Sequence, residues 1–239
     1  MEKGKHGEAF ILGVAIFLGL VVLGYFVSNM AVSLKRSERT VTVKGLSERE
    51  VLANIAIWPI KFSEVSNDLN DLAATIENKI SIVTDFLGSS GFGPDAISVS
   101  APSISDKLAQ GYVEPNKIKF RYIASVIVTV FTGNVDLVRK TMKKLVDLGK
   151  KGIAIGSQDY GTKTEFLFTQ LNDIKPEMIE EATKNAREVA EKFARDSNSV
   201  LGKIKHASQG QFSIVNRDSN TPYIKKVRVV STIEYYLSD

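Results

Sequence analysis

The sequence predicts an α+β protein with mostly antiparallel sheets and three long helices, preceded by a single transmembrane helix. An uncharged run extends from Phe10 to Leu34, and no comparable run follows it. In the rest of the chain, pairs of strand-like segments stand between helical periods, a pattern that favours antiparallel sheets covered by helices. This remainder is long enough to bury a real hydrophobic core.

The uncharged run at 10–34 predicts a membrane anchor. As a helix it would be about 37 Å long at ~1.5 Å per residue, more than the ~30 Å of hydrocarbon in a bilayer. It is longer than the apolar region of a cleaved signal peptide, and Asn29 to Ala31 makes a poor cleavage site. A buried core helix would need a polar face, which is absent here. We expect an uncleaved anchor, with residues 1–9 as a tail and 35–239 as a soluble domain.

Charges on the two sides of the run say little about orientation. Lys3 and Lys5 precede it, and Lys35, Arg36 and Arg39 follow it, so the positive-inside rule gives almost no bias. A short tail before a long domain is the usual arrangement of a signal anchor, and the absence of cysteine fits an oxidising compartment. The prediction is a single-pass inner-membrane protein with its soluble domain in the periplasm, outside the cytoplasm.

The first strands of the soluble domain are predicted as a hairpin. Thr40–Lys44 alternates between apolar and polar residues, Gly45–Glu50 has turn-forming residues, and Val51–Phe62 is rich in β-branched and aromatic residues. Pro59 cannot donate to a ladder of hydrogen bonds, which predicts an edge strand or a bulge at that position.

A helical period follows from Val65 to Leu87, with Asp68 and Asp71 near its start, where the helix dipole favours acids. The segment Gly88–Pro94 ends it. This segment is glycine-rich, but phosphate-binding loops precede a helix, so it is interpreted as a helix stop.

Two more helices and six more strands are predicted downstream. The second helix spans 134–148 with Asn134 as N-cap, and the third begins near Pro176. Its predicted buried stripe is Ile179, Ala182, Ala186, Val189, Ala190, Phe193 and Ala194. The strands are predicted at 97–104, 120–131, 153–160, 164–171, 203–214 and 225–237, with a loop at 107–117 and a turn at 216–222. This order of elements suggests two subdomains, 40–132 and 150–237.

Few residues suggest catalysis. The chain has no cysteine and two histidines, which argues against zinc sites and Cys/His nucleophiles. His206 is interpreted as a partly exposed strand residue, because no serine lies in a Gly-x-Ser-x-Gly elbow. Glu177, Glu180 and Glu181 are interpreted as stabilising the first turn of the third helix. We predict no catalytic residue, no cofactor site, no metal site and no enzymatic activity.

Charge is modest and spread out. The formal net charge is +4, and no dense Lys/Arg stripe with aromatics argues for nucleic-acid binding. If the last two strands pair, a small basic patch could meet anionic lipid or an acidic partner, although an ordinary solvated strand face is the alternative. The patch would consist of Lys203, Lys205, Lys225, Lys226 and Arg228.

Four stretches carry a family resemblance. They are 40–45, 121–130, 186–204 and 227–236, and their order and spacing are similar to the SIMPL-domain family, bacterial envelope proteins that include periplasmic immunogenic proteins. The resemblance implies a SIMPL-like domain over 35–239, an envelope location, no established enzymatic activity and no agreed catalytic residues. It also implies homo-oligomers and a link to envelope stress, as described for some members.

The sequence therefore favours a membrane-anchored, non-enzymatic envelope protein that acts through self-association or by binding other envelope components. Its predicted partners are the membrane, further copies of itself and envelope proteins, without nucleic acid. Two alternatives stay open: an enzyme or small-molecule sensor with a site between two subdomains, and a purely structural tether.

Overall fold

The computed structural model of the protein describes residues 3–36, 39–110, 118–156 and 162–238. The class is α+β with antiparallel sheets, as predicted. The helices are α1 (Lys3–Arg36), α2 (Leu69–Ser89), α3 (Val135–Met142), α4 (Val146–Lys150) and α5 (Leu171–Asp196). The strands are β1 (Thr40–Leu52), β2 (Ile55–Ser66), β3 (Ile97–Val99), β4 (Ser103–Asp106), β5 (Tyr122–Thr132), β6 (Glu165–Leu167), β7 (Val200–Gln209), β8 (Ser213–Asn216) and β9 (Ile224–Ser238).

Helix α1 contains the uncharged run. Its segment Phe10–Ser28 has a mean hydropathy of 2.7, and 0% of it is buried. By length and composition this segment could cross a membrane, so it fits either an anchor or a signal sequence.

The chain divides into two compact units. Unit 1 comprises 1–48, 174–213 and 228–239, and unit 2 comprises 49–173 and 214–227. Each unit gathers segments that are distant in sequence, whereas the predicted subdomains, 40–132 and 150–237, are continuous stretches.

Unit 1 has a small core under one helix. Its strands follow the order β1-β9-β7, and β7 pairs antiparallel with β9 from Val200 opposite Ser238 to Gln209 opposite Ser231. The buried cluster consists of Val43, Ala186, Ala190, Ile233 and Tyr235, with Val41 and Leu201 packed against it. Helix α5 supplies the alanines, so it covers one face of this sheet.

Unit 2 has a larger core under α2. Its sheet has the order β3-β5-β2-β6, and β4 also pairs with β5. The register of β2 with β5 is unbroken from Ala56 opposite Thr132 to Ser66 opposite Tyr122. Alternate residues of these two strands point to the core with the apolar side of α2. The fully buried side chains there include Trp58, Ile60, Phe62, Leu72, Ile76, Val83, Leu87, Val126 and Val128.

The start of α2 differs from the prediction, and the start of α3 agrees with it. The Asp68 carboxylate accepts hydrogen bonds from the backbone N–H groups of Asn70 and Asp71, so α2 begins at Leu69 instead of Val65. Asn134 caps α3 as predicted, since its side-chain oxygen accepts from the N–H of Leu137 at 3.0 Å. The predicted stop is also confirmed, because Gly91 follows α2 with φ +103°, which favours glycine.

The predicted hairpin of Thr40–Lys44 with Val51–Phe62 is wrong. Strand β1 continues through Gly45–Glu50, and the chain turns at Ala53 and Asn54. β1 pairs with β9, whereas β2 pairs with β5 and β6 in the other sheet. The glycine that suggested a turn is buried within β1, where a helix approaches closely.

Other predicted elements are shorter than expected. The second helix breaks after Met142 into α3 and α4, and the strand at 97–104 divides into β3 and β4. Of the strand at 164–171 only β6 forms, and Ile155 makes a single bridge to Phe62. The loop at 107–117 opens with a 3-10 turn over 107–110, and residues 111–117 and 157–161 lie outside the described part of the chain.

Two proline predictions have different outcomes. No bulge forms at Pro59, because the register of β2 with β5 is unbroken there. On the other side of β2 the pairing with β6 ends at Ile57, so within the described residues Pro59 has no strand partner on that side. Helix α5 begins at Leu171, five residues before the predicted start at Pro176. Pro176 is therefore the sixth residue of the helix, where it cannot donate to the carbonyl oxygen of Asn172.

Candidate functional site

Two elements of unit 1, β1 and α5, approach each other closely at Gly45. A Cβ added to Gly45 would lie 1.8 Å from the carbonyl oxygen of Ala182 and 2.4 Å from the backbone nitrogen of Ala186. No side chain fits there without moving a backbone. The helix presents small residues to the strand at four-residue intervals, and all four are buried: Ala182, Ala186, Ala190 and Ala194. Glycine and alanine together set the distance between α5 and β1.

Polar contacts fix the same helix along β1. The hydroxyl of Ser47, only 1% exposed, donates to the Glu181 carboxylate at 2.9 Å. The side-chain amide of Asn185 donates to the carbonyl oxygen of Leu46 at 2.8 Å. Glu177, Glu180 and Glu181 were predicted in a first turn, but the earlier start of α5 places all three further along the helix. Glu181 is a structural partner of the strand.

The predicted stripe on α5 is partly wrong. Its alanines are buried, but Val189 is 40% exposed and Phe193 is 57% exposed, and Met178 is buried instead. The close approach at Gly45 leaves room for alanines only, so the larger apolar residues of the pattern lie away from the contact. Two sizeable apolar side chains are therefore left at the surface of unit 1.

Strand β7 has an exposed edge. Among the described strands it pairs with β9 alone, and nine of its ten residues are exposed, all but Leu201. Its register with β9 shifts twice, between Leu201 and Ile204 and again before His206. Such irregularities are common on edge strands, which carry unpaired backbone N–H and C=O groups. His206 lies on this strand opposite Glu234, and it is exposed, as predicted.

A shallow apolar groove of about 180 Å³ runs beside β7 in unit 1. Ile204 is 50% exposed there, while Ile233 on the neighbouring strand is buried. We refer to the exposed edge of β7 and this groove together as the β7 edge surface. The groove is lined by Ile179, Thr183, Ile204, Ala207, Ser208, Gln209, Ser231 and Ile233.

The lysines of β7 are near the C-terminal end of β9. Lys205 forms an ion pair with Glu234 at 3.1 Å and lies 5.9 Å from the centre of the Tyr236 ring. A hydrogen bond from Thr40, followed by the one from Lys205, lowers the pKa of Glu234 below its ordinary value. Lys203 is exposed on the same strand.

The other members of the predicted basic patch are at the opposite end of β9. Arg228 is exposed seven residues before Tyr235, roughly 23 Å along the strand at ~3.3 Å per residue. Lys225 is 8% exposed and donates to the side-chain oxygen of Asn216, and burial lowers the pKa of this lysine while the charge of Glu165 opposes that shift. Lys225 and Lys226 belong to unit 2. The structure therefore keeps Lys203 and Lys205 together and does not place Arg228 beside them.

Unit 2 has a cleft of about 380 Å³ that the sequence did not suggest. Arg139 lies over the ring of Tyr223, 3.6 Å from the ring centre, and its guanidinium donates to Asp136 at 2.8 Å. Because these polar groups already partner one another, the cleft resembles a packed surface feature more than a prepared ligand site. Within the described residues, no group of three or more His, Asp or Glu side chains has the spacing of a metal site.

Comparison with known families gives one result. A family model described as SIMPL, protein of unknown function (DUF541), matches residues 41–232. The chain belongs to the SIMPL family. No match was found among curated proteins. The family match confirms the resemblance seen in the four stretches, and it runs from the start of β1 into β9.

The range of the SIMPL match locates the features described above. It includes Gly45, the alanines of α5 and all of the β7 edge surface except Ile233, and it leaves α1 outside. The alanine spacing was visible in the sequence, but Gly45 was interpreted as part of a turn. The strict four-residue repeat of alanine in α5 is the signal that could have indicated a glycine partner on a strand.

Proposed function

We propose that this SIMPL protein is a membrane-anchored, non-enzymatic envelope protein that acts by self-association through its β7 edge surface. The proposed location is the inner membrane, with the SIMPL domain outside the cytoplasm. The observation that carries the proposal is the ten-residue edge strand β7, exposed at nine of its residues and lying beside an apolar groove. Other envelope proteins that add a strand to the same edge are the second class of partner.

An edge strand can recruit a second copy through its backbone. Unpaired N–H and C=O groups form a ladder with another strand, and apolar side chains beside the edge add specificity. Two copies related by a two-fold axis would meet through this edge and groove, and Ile204 would contribute apolar surface from both copies. An anchor favours this association, because confinement to a membrane raises the effective concentration of the domain.

Two observations support the membrane part. The apolar segment Phe10–Ser28 is fully exposed, which is costly in water and favourable in lipid. The absence of cysteine suits a compartment in which thiols are oxidised.

The self-association proposal is tested by cysteine crosslinking. Since the chain has no cysteine, single variants Ile204→Cys, His206→Cys and Ser208→Cys report on β7 without background. Oxidation in native membranes should give disulfide-linked dimers, most at the position nearest the two-fold axis and less at its neighbours. The matched control is Val146→Cys on α4, which is 70% exposed in unit 2. Monomers at all three β7 positions, or equal dimers at Val146, would contradict the proposal.

The orientation is tested by protease digestion of spheroplasts with an intact inner membrane. The SIMPL domain should be degraded while a cytoplasmic marker protein survives. Degradation that requires a broken inner membrane would reverse the proposed orientation and leave the self-association result unaffected.

A further inference from the structure

One end of unit 1 is tied to the residues that follow α1. The backbone N–H of Leu237 donates to the carbonyl oxygen of Arg39 at 2.8 Å, and the guanidinium of Arg39 donates to the Ser199 hydroxyl at 3.3 Å. The N–H of Ser199 in turn donates to the carbonyl oxygen of Ala194 in the last turn of α5 at 2.8 Å. Arg39 is therefore fixed at the end of the sheet where β9 ends, β7 begins and α5 ends.

Chain length places this end close to the end of α1. Arg36 is the last residue of α1, and Arg39 follows three residues later. Three residues span at most about 11 Å at ~3.6 Å per residue. With the uncharged run Phe10–Leu34 in the bilayer, as proposed above, Lys35 and Arg36 lie at its surface, and this end of unit 1 lies within about 11 Å of Arg36, whatever the angle between helix and domain.

The side chains at this end have the chemistry of a membrane interface. Phe193 and Val200 are apolar side chains that are 57% and 61% exposed. Exposed basic residues are close to them in sequence on α5 and β7, and Asp196 is an exposed acid in the same turn of α5. We refer to this set as the proximal face: Arg39, Lys192, Phe193, Arg195, Val200 and Lys203.

We propose that the proximal face binds the surface of a bilayer containing anionic phospholipid, with Phe193 and Val200 in the interface and the basic side chains at lipid phosphates. Apolar side chains that enter the interface and cations near anionic headgroups both favour membrane binding. This inference rests on the proposed anchoring by α1. It adds that the SIMPL domain is held against the lipid in a defined orientation.

The test uses the full chain reconstituted in vesicles and single cysteines labelled with an environment-sensitive fluorophore. Phe193→Cys and Val200→Cys report on the proximal face. Leu46→Cys is the control, because Leu46 is 42% exposed in the same unit and lies seven residues from Arg39 on β1, roughly 23 Å away at ~3.3 Å per residue. With a quencher attached to the lipid headgroup, labels at 193 and 200 should be quenched severalfold more than the label at 46.

The dependence of quenching on lipid charge tests the role of the basic side chains of the proximal face. Quenching at 193 should increase when phosphatidylglycerol is added to phosphatidylcholine vesicles, and salt should reverse the increase. Lys192→Gln and Arg195→Gln should each weaken this response by about fivefold, which corresponds to ~1 kcal/mol per basic residue near an anionic surface. Equal quenching in both lipids would overturn the proposed selectivity for anionic lipid.

Failure of the anchor and failure of this inference give different results. Flotation with vesicles and resistance to alkaline extraction report on α1 alone. A chain that does not float overturns the anchor and the proximal-face proposal together. A chain that floats, but whose labels at 193 and 200 are quenched no more than the label at 46, overturns only the proximal-face proposal.

Discussion

Units 1 and 2 both place a helix on a sheet, but they do so with side chains of opposite size. In unit 2, α2 packs against β2 and β5 through large residues such as Ile76, Leu87 and Trp58, all at most 2% exposed. In unit 1, α5 packs against β1 through alanines, and opposite Ala182 and Ala186 the strand has Gly45. Large side chains fill the contact in unit 2, whereas in unit 1 the two backbones approach each other directly.

Because of this difference, the stability of each unit is sensitive to a different kind of substitution. A core of large side chains loses stability when atoms are removed, because a cavity remains. A contact made of glycine and alanine loses stability when atoms are added, because the backbones must separate. The two units should therefore respond in opposite directions to changes in side-chain size.

The largest expected effect is in unit 2. Trp58→Ala should lower the free energy of unfolding by about 3–5 kcal/mol, because a side chain that is 1% exposed leaves a large cavity. Urea denaturation followed by circular dichroism measures the loss, and hydrogen exchange locates it in β2 and β5. Phe131→Ala is the control on the same sheet, since Phe131 is 56% exposed. Equal losses in the two variants would mean that burial in this core does not set stability.

The next effect is in unit 1. Gly45→Ala should lower the free energy of unfolding by about 3 kcal/mol, at the upper end for overpacking, because the added methyl group meets backbone atoms of α5. Faster hydrogen exchange of the α5 amides is the direct readout. Trp58 is the single tryptophan of the chain, so its fluorescence reports unit 2 separately.

Gly133→Ala in unit 2 is the matched control for Gly45. Its added Cβ would lie 3.6 Å from the carbonyl oxygen of Asn54, an ordinary van der Waals contact. A Gly45→Ala protein that is as stable as Gly133→Ala would show that α5 is not held at the distance set by glycine, and the comparison between the units would fail.

A smaller effect is expected where α5 ends. Asn198 has φ +52°, and the N–H groups of Asn198 and Ser199 donate to the carbonyl oxygens of Arg195 and Ala194. This is a Schellman-type end that favours glycine or asparagine. Asn198→Val should cost about 1–2 kcal/mol, whereas Asn198→Gly should be neutral or slightly stabilising. Thermal unfolding of the two variants provides the measurement, and similar melting temperatures would argue against a left-handed residue at this site.

The smallest effect is expected at a surface turn of unit 2 that takes part in neither of the two helix–sheet contacts. Hydrogen bonds from the Thr221 hydroxyl and then from Arg217 lower the pKa of Asp218 from 3.8 to about 2. Because the folded pKa is depressed, the turn is stabilised above pH 3.8, and this stabilisation is lost as the pH falls through about 2. NMR titration of the Asn220 and Thr221 amides should show this transition. Asp218→Asn should abolish it, and a midpoint near 3.8 in the unaltered protein would contradict the hydrogen-bonded geometry.

Local patterns predicted the kinds of element well. The period of α2, the acids near its start and the stop around Gly91 follow from contacts within a few residues, and the structure contains all three. Strand β5 also follows its alternating pattern. These features could be predicted because their physical causes lie inside the segment.

Predictions that depended on distant residues were weaker. Gly45 resembled a turn residue because glycine has two uses, and only the presence of α5 distinguishes close packing from a turn. Phe193 fitted the apolar period of α5 but is exposed, since the alanines already fill the contact. The basic patch assumed that β7 and the whole of β9 lie side by side, whereas Lys205 pairs near Glu234, far along β9 from Arg228.

From composition and periodicity, which are local properties, we could predict the apolar segment of α1, the α+β class, the amphipathic helices and the resemblance to SIMPL proteins. Only the packing of distant segments places β1 and β2 in different sheets, leaves β7 with an exposed edge and bonds Arg39 to Ser199, next to the exposed Val200. Those outcomes depend on which backbones approach each other across many residues of chain. At Gly45 the deciding quantity is the space left by Ala182 and Ala186, which no local pattern contains.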